Sequence, residues 1–289
     1  MNYGELLVMA ERPAVVCGLC PRHCHLREGQ SGFCGARACV DRRVVCTNYG
    51  QLAAVALDPI EKKPLYHFHP GSVILSVGSY GCNLDCPFCQ NYELSRARVG
   101  EVRTQQVVSP EALAALAVEA REQRGSIGVA FTYNEPLVSY EYLLDCAPLL
   151  RAQGLAVVLV TNGQICTEPL QALLPLVDAM NIDLKGFSQA YYDWLGGDLH
   201  TTQNTIAAAV AAGVHVEVTT LVIPGRNDDP GEIAAAAQWL ASLSSDIPLH
   251  LSRYFPRYHC DIDPTPVATL RQLQHIARLY LSHVYPGNV

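Results

Sequence analysis

Short apolar runs alternate with amphipathic segments from residue 71 to the end of the chain. Several runs are rich in Val and Ile and apolar at successive positions, which is typical of parallel strands buried on both faces. One intervening segment begins at Ser109-Pro110, a capping residue followed by a proline suited to the first helical turn. The pattern predicts strands at 73–77, 127–131, 156–160, 180–184, 214–223 and 248–252, and helices at 110–123, 137–153, 168–177, 201–212, 231–243 and 266–283.

Six strand–helix units in succession predict an α/β fold with a parallel sheet and right-handed crossovers. We therefore expect residues 71–289 to form a partial (β/α)6 barrel of the TIM type, with its active site at the carboxyl ends of the strands. Residues 1–70 differ, because they hold six cysteines and only a short hairpin signal at 44–47 and 52–57. They predict a Cys-rich N-terminal appendage that binds metal.

Composition and charge argue against a nucleic-acid-binding, secreted or membrane protein. The chain is 49% apolar with a net charge of −7, and residues 71–289 carry 12 Lys and Arg against 21 Asp and Glu. A barrel of this charge is not expected to bind nucleic acid, which favours a basic face. The sequence contains neither a signal-peptide pattern nor an apolar run of about 18 residues. Twelve cysteines, many in metal-type spacings, then favour the reducing cytoplasm.

Three cysteines directly after the first predicted strand carry the strongest chemical signal. Cys82, Cys86 and Cys89 follow the spacing Cys-x3-Cys-x2-Cys, with Phe88 immediately before the third. Thiolates are soft ligands that suit iron–sulfur clusters. A cubane has four irons, so three thiolates leave one iron open to a substrate or cofactor. The alternatives are a zinc site, whose motifs usually pair Cys-x2-Cys, and three unrelated buried cysteines.

This spacing resembles the signature of the radical S-adenosylmethionine (SAM) enzymes. The resemblance implies a [4Fe–4S] cluster whose open iron binds the amino and carboxylate groups of SAM. It further implies that a reductant such as flavodoxin or ferredoxin supplies an electron that cleaves a carbon–sulfur bond, usually giving a 5′-deoxyadenosyl radical. By the same resemblance, Phe88 lies near the adenine.

Polar residues at the ends of later predicted strands suit the charged and hydroxyl groups of SAM. Each alone also fits a turn or a surface position, but one set follows nearly every strand. The expected SAM-binding residues are Asn134, Glu135, Thr161, Asn162, Asp183, Lys185 and Arg253.

Two groups within the superfamily resemble this chain. Thr161-Asn-Gly and Asp183-Leu-Lys match motifs of the pyruvate formate-lyase activating enzymes, although Val160 stands where those enzymes carry an Asp that helps bind a monovalent cation. The segments 17–24, 61–67, 132–136 and 252–256 are similar to the AmmeMemoRadiSam-type proteins, many of which continue into a further cysteine-containing tail. That similarity implies Memo-like and AMMECR-like proteins as partners.

The N-terminal segment offers a second set of thiolates. Cys17, Cys20, Cys24 and Cys34 lie within 18 residues and follow the spacing Cys-x2-Cys-x3-Cys-x9-Cys. Four thiolates satisfy tetrahedral zinc, and the same ligands suit a second iron–sulfur cluster. Zinc, a cluster and the absence of any metal all remain open.

The sequence therefore predicts a radical SAM enzyme that abstracts hydrogen from an unidentified substrate. One alternative is an activating enzyme that installs a glycyl radical on a partner protein. The other is a non-catalytic iron–sulfur electron carrier.

Overall fold

The structure is a computed structural model that describes residues 13–102 and 106–289. Within these residues the helices are α1 (Tyr92–Ser95), α2 (Pro110–Arg124), α3 (Tyr140–Ala152), α4 (Thr167–Leu173), α5 (Gln189–Leu195), α6 (Leu199–Ala211), α7 (Pro230–Leu243) and α8 (Val267–Ala277). The strands are β1 (Val15–Val16), β2 (His25–Leu26), β3 (Arg37–Val40), β4 (Arg43–Cys46), β5 (Gln51–Leu52), β6 (Ala54–Pro59), β7 (Val73–Gly78), β8 (Gln106–Val107), β9 (Ser126–Phe131), β10 (Ala156–Thr161), β11 (Ala179–Asp183), β12 (His215–Val222), β13 (Leu249–Arg253) and β14 (Val284–Gly287).

A central sheet organises the described part of the chain, in the order β6-β7-β9-β10-β11-β12-β13-β14. Every neighbouring pair from β7 to β14 is parallel, and only β6 runs antiparallel, beside β7. The helices between the strands pack against the sheet and bury a continuous apolar core. The predicted α/β fold with a partial parallel barrel is confirmed, and all six predicted strands are present.

Two local predictions differ from the structure. The last helix ends at Ala277 instead of His283, because residues 284–287 form a seventh parallel strand, β14. The predicted hairpin is also wrong, since β4 pairs with β3 through a tight turn at Asp41 and Arg42, both with positive φ, as in type I′ turns. Residues 54–59 join the central sheet, and the division of the chain at residue 70 stays a prediction.

The segment from Ile60 to Phe68 fills the interior of the barrel toward the amino ends of the strands. Ile60 and Leu65 are fully buried and pack against interior side chains of the sheet, including Ile74 and Val158. Farther along, the carbonyl of Pro64 accepts a hydrogen bond from Asn181 at 2.7 Å. The segment therefore closes one end of the barrel and leaves the carboxyl ends of the strands as the open side.

Candidate active site

The three cysteines of the Cys-x3-Cys-x2-Cys motif lie on one loop at the carboxyl end of β7. Their side chains line a single cavity in the mouth of the barrel, together with Phe88. Phe88 is buried and packs against Trp194, with ring centroids 5.5 Å apart. The loop therefore presents three thiols and one aromatic face to the same space.

The environment of these sulfurs suits a cluster that needs thiolate ligands. Burial raises the pKa of Cys86 to about 12, so the bare thiol is neutral, and a bound metal would be needed to stabilise the thiolate. Donors already surround Cys82, since the Leu84 N–H lies 3.4 Å and the Asn162 Nδ2 3.6 Å from its sulfur. Such hydrogen bonds to sulfur are among the features that set the potential of iron–sulfur centres.

Two arginines hold the backbone of the cysteine loop. Arg96 donates to the carbonyls of Cys82 (3.1 Å) and Leu84 and also pairs with Asp85 at 3.0 Å. Arg22, from the N-terminal segment, donates to the carbonyl of Asn83 at 2.6 Å. The loop is thus fixed through its main chain, independently of the cysteine side chains.

Glu135 is the most buried charged group in the mouth, with 3% of its surface exposed. Its carboxylate accepts hydrogen bonds from Thr161 Oγ1 (2.6 Å), Asn162 N (2.8 Å) and Leu137 N (3.0 Å). Burial nevertheless outweighs these bonds and raises the pKa of Glu135 to about 7. A cationic ligand group beside this carboxylate would favour its ionised form.

The neighbouring Asn134 also binds the backbone at the start of the cysteine loop. Its side chain accepts a hydrogen bond from Ser79 N at 2.9 Å and donates to the carbonyls of Tyr80 and Gly81 at 3.0 and 3.1 Å. Asn134 therefore lines the cavity while its amide secures the start of the cysteine loop.

Asp183 and Lys185 lie on the far wall of the cavity and pair with each other at 2.7 Å. Burial disfavours the lysine charge, but Asp183 and the nearby Cys86 outweigh burial and raise the pKa of Lys185. The pair adds a positive and a negative group to the mouth with little net charge.

The expected SAM-binding residues do not all line the cavity. Phe88, Asn134, Glu135, Thr161, Asn162, Asp183 and Lys185 do, whereas Arg253 does not. Side chains alternate along β13, so that Ser252 points into the barrel and Arg253 points away, with its Nε donating to the carbonyl of Thr265 at 2.8 Å. Ser252 therefore lines the cavity at the end of β13, and a contact between Arg253 and SAM stays a prediction.

Several lining residues were missed by the sequence analysis. Thr219 pairs in register with Asp183 on the adjacent parallel strand, so strand alternation could have identified it. Tyr133 is less predictable, because it adopts a left-handed φ of 72° and donates to Asp58 at 2.8 Å, 75 residues away. The missed lining residues are Leu84, Gln90, Asn91, Ser95, Thr132, Tyr133, Val160, Thr219, Leu221, Ser252 and Asn288.

The N-terminal cysteines Cys17, Cys20, Cys24 and Cys34 line a second, smaller cavity, which adjoins Asn83 of the cysteine loop. Burial raises the pKa of the Cys20 thiol to about 11, and the neighbouring thiols add to the shift. Across residues 13–102 and 106–289, no three His, Cys, Asp or Glu side chains lie close enough together to hold one metal ion. Over the same residues, no helix is long and apolar enough to cross a membrane.

Comparison with known proteins places this site in a family. The sequence model of the Radical SAM superfamily matches residues 76–237, which include the cysteine loop and most strand-end residues. Uncharacterized protein MJ0808 of Methanocaldococcus jannaschii is 38% identical over 95% of this chain and 81% of that protein. The 7-carboxy-7-deazaguanine synthase of Geobacter sulfurreducens is 31% identical over 71% of this chain and 82% of that enzyme.

A solved structure agrees with the fold. A domain of the pyruvate-formate lyase-activating enzyme from Bacteroides vulgatus superposes with a TM-score of 0.50 at 22% identity, covering 56% of this chain and 99% of that domain. Since the family model covers more than half of the residues, the chain belongs to the Radical SAM superfamily.

Proposed function

We propose that this protein is an enzyme that cleaves SAM reductively at a [4Fe–4S] cluster held by Cys82, Cys86 and Cys89. The observation that carries the proposal is that the three thiols share one cavity with polar residues at the ends of β9, β10, β11, β13 and β14. When bound, such a cluster supplies the electron that breaks a carbon–sulfur bond of SAM. The remaining chemistry depends on how the chain's own residues bind and orient SAM.

Glu135 is assigned to the ammonium group of SAM. Its carboxylate lines the cavity and is held in place by Thr161 and Asn162 and by the Leu137 N–H, so its orientation does not depend on the ligand. A preorganised, buried carboxylate binds a cation with little reorganisation. Asp183 and Lys185 are assigned to the ribose hydroxyls and the carboxylate, and Phe88 to the adenine.

Asn162 links the SAM-binding strand ends to the cluster loop. Its amide nitrogen reaches the sulfur of Cys82 and also donates to Asn83 Oδ1 at 2.9 Å. We assign Asn162 the role of holding the Cys82 thiolate in position and of withdrawing electron density from its sulfur.

The substrate class remains open, and we infer hydrogen abstraction from an unidentified molecule. A second candidate is glycyl-radical activation of a partner protein, favoured by the Thr161-Asn-Gly and Asp183-Leu-Lys segments and by the fold shared with an activating-enzyme domain. Val160 lines the cavity with an apolar side chain and supplies no carboxylate to a cation. Under either candidate, a flavodoxin or ferredoxin would be the reductant. Memo-like, AMMECR-like or glycyl-radical proteins would be partners to test.

The proposed activity has a direct assay. Protein reconstituted anaerobically with iron and sulfide should convert SAM to 5′-deoxyadenosine and methionine when reduced with dithionite, as measured by liquid chromatography and mass spectrometry. A fully loaded protein that yields no SAM-derived nucleoside would contradict the proposal and would favour the electron-carrier alternative. Incubation with a glycyl-radical enzyme, followed by electron paramagnetic resonance (EPR), distinguishes the second candidate.

Glu135→Ala is expected to weaken SAM binding by about 10- to 100-fold, because a hydrogen bond to a charged group contributes about 1.5–3 kcal/mol. The dissociation constant should be measured by equilibrium dialysis with reconstituted protein. Glu122→Ala, which alters an exposed carboxylate of α2, is the matched control and should leave binding unchanged. Unaltered affinity of a folded, iron-loaded Glu135→Ala protein would remove Glu135 from the assignment.

A further inference from the structure

The four N-terminal cysteines surround one enclosed cavity, although they come from different parts of the segment. Cys17 and Cys20 approach from the turn after β1, and Cys24 and Cys34 approach from either side of Gly32. A methyl group at Gly32 would lie 3.8 Å from the Cys24 sulfur and 3.9 Å from the Cys34 sulfur. Because Gly32 has no side chain, the space beside the sulfurs of Cys24 and Cys34 stays open.

This cavity touches the loop that carries Cys82. The backbone N–H of Cys82 donates to the carbonyl of Cys34 at 3.2 Å, so one residue from each set of cysteines shares a direct hydrogen bond. Gly81 makes this approach feasible, because a Cβ there would lie 2.5 Å from the Cys34 carbonyl oxygen. Asn83 lines the N-terminal cavity while its side chain binds Asn162 in the barrel mouth. The two sites are thus separated by a single layer of backbone and side chain.

A single tetrahedral ion and an iron–sulfur cluster require different positions of the four sulfurs. In a tetrahedral zinc site with Zn–S bonds of about 2.3 Å, neighbouring sulfurs lie about 3.8 Å apart. In the described part of the chain no three cysteines are grouped for one ion, and this applies equally to Cys82, Cys86 and Cys89. Each set of cysteines lines one cavity, and the hydrogen bond between Cys82 and Cys34 places the N-terminal set directly beside the barrel loop, where a redox centre can exchange electrons with it.

We propose that Cys17, Cys20, Cys24 and Cys34 hold a second [4Fe–4S] cluster, which relays electrons to the cluster at Cys82, Cys86 and Cys89. With four protein ligands every iron is coordinated, so this centre does not bind SAM. A reduced one-electron carrier of the ferredoxin or flavodoxin class loses one electron to the N-terminal cluster, which passes from the 2+ to the 1+ state. It returns to 2+ when the barrel cluster is reduced from 2+ to 1+. The inference rests on the proposed function for the barrel cluster.

Metal analysis tests the binding site. Reconstituted wild-type protein should contain about eight irons and eight sulfides per chain, and Cys20→Ser/Cys24→Ser should contain about four of each. Cys166→Ser is the control, because Cys166 lies beside the N-terminal segment, its N–H bonded to the Leu19 carbonyl, but does not line the cavity. Zinc in place of the additional iron, or about four irons in the wild type, would overturn the proposal.

The choice of reductant tests the relay. Dithionite is small enough to reduce the barrel cluster directly, so SAM cleavage with dithionite should persist in the double variant. Cleavage driven by reduced flavodoxin should fall at least about 10-fold. An unchanged flavodoxin-driven rate in a protein that has lost the second cluster would overturn the relay.

Spectroscopy of the wild type keeps the proposal testable even if the double variant fails to fold. Reduced protein should show two EPR signals, one that changes on addition of SAM and one that does not. Absence of the SAM-insensitive signal would overturn the second cluster, whereas absence of the SAM-sensitive signal would overturn the proposed function instead.

Discussion

Replacing Cys82, Cys86 and Cys89 together by alanine is expected to reduce SAM cleavage to the background rate and to leave the barrel folded. Cleavage should disappear because no other thiol of the described chain lines the mouth cavity. The fold should persist because Arg96 and Arg22 hold the loop through its carbonyl groups, and the main core lies between the sheet and its helices. Product analysis and thermal unfolding of the metal-free proteins check both parts.

The matched control for this triple variant is Cys166→Ser, which changes a thiol outside both cysteine cavities. It should retain wild-type cleavage. Residual production of 5′-deoxyadenosine by the triple variant, above that of a protein-free reaction, would show that the cluster is held elsewhere.

The largest stability effect is expected from Glu217→Ala. Glu217 is fully buried in the barrel interior and accepts hydrogen bonds from four donors. These are the backbone nitrogens of Tyr66 (2.9 Å) and His67 (2.7 Å) and the Nε2 atoms of His215 (3.0 Å) and His250 (2.7 Å). Removing the carboxylate leaves buried donors without an acceptor, which typically lowers the free energy of unfolding by about 3–5 kcal/mol. Urea unfolding should show this loss, whereas exposed Glu122→Ala should stay within about 0.5 kcal/mol of the wild type.

The Glu217 carboxylate also predicts that the stability of the fold depends on pH. Burial tends to raise the pKa of Glu217, but hydrogen bonds from His215, His250 and two backbone groups outweigh it and lower the pKa to about 2. A depressed pKa in the folded state means that the stabilisation is present above the ordinary value of about 4.5 and is lost as the pH falls toward 2. The free energy of unfolding should therefore decline over that range in the wild type and decline less in Glu217→Ala. If the free energy of unfolding fell equally with pH in the wild type and in Glu217→Ala, the lowered pKa could not be assigned to Glu217.

The strands and the cysteine loop were predictable because their signals are local. Runs of apolar residues such as 156–160 read as buried strands without any knowledge of their partners, and the spacing from Cys82 to Cys89 is contained within eight residues. Asp183 at the end of β11 and Lys185 two positions later were expected at the site from the sequence, and both line the mouth cavity. In these cases, residues close together in the sequence are sufficient to predict the structural feature.

The remaining features depend on distant parts of the chain. Glu217 binds the backbone of Tyr66 across 151 positions, and this contact, which fixes the segment in the barrel, has no local signature. Likewise, the segments 44–47 and 52–57 were predicted to pair with each other because both are apolar. Instead, the turn at Asp41 and Arg42 pairs the first segment with β3, the strand that precedes it in the chain. The direction of the Arg253 side chain, which points away from the mouth and donates to the Thr265 carbonyl, depends on the register of β13 and could not be read from the sequence.

The most direct test of the central claim is EPR spectroscopy of the dithionite-reduced, reconstituted protein during titration with SAM. If SAM binds the open iron of the cluster at Cys82, Cys86 and Cys89, one reduced-cluster signal should change shape and g-values as SAM is added, and Cys82→Ala/Cys86→Ala/Cys89→Ala should lack that signal. Reduced-cluster signals that stay unchanged at saturating SAM would contradict the account.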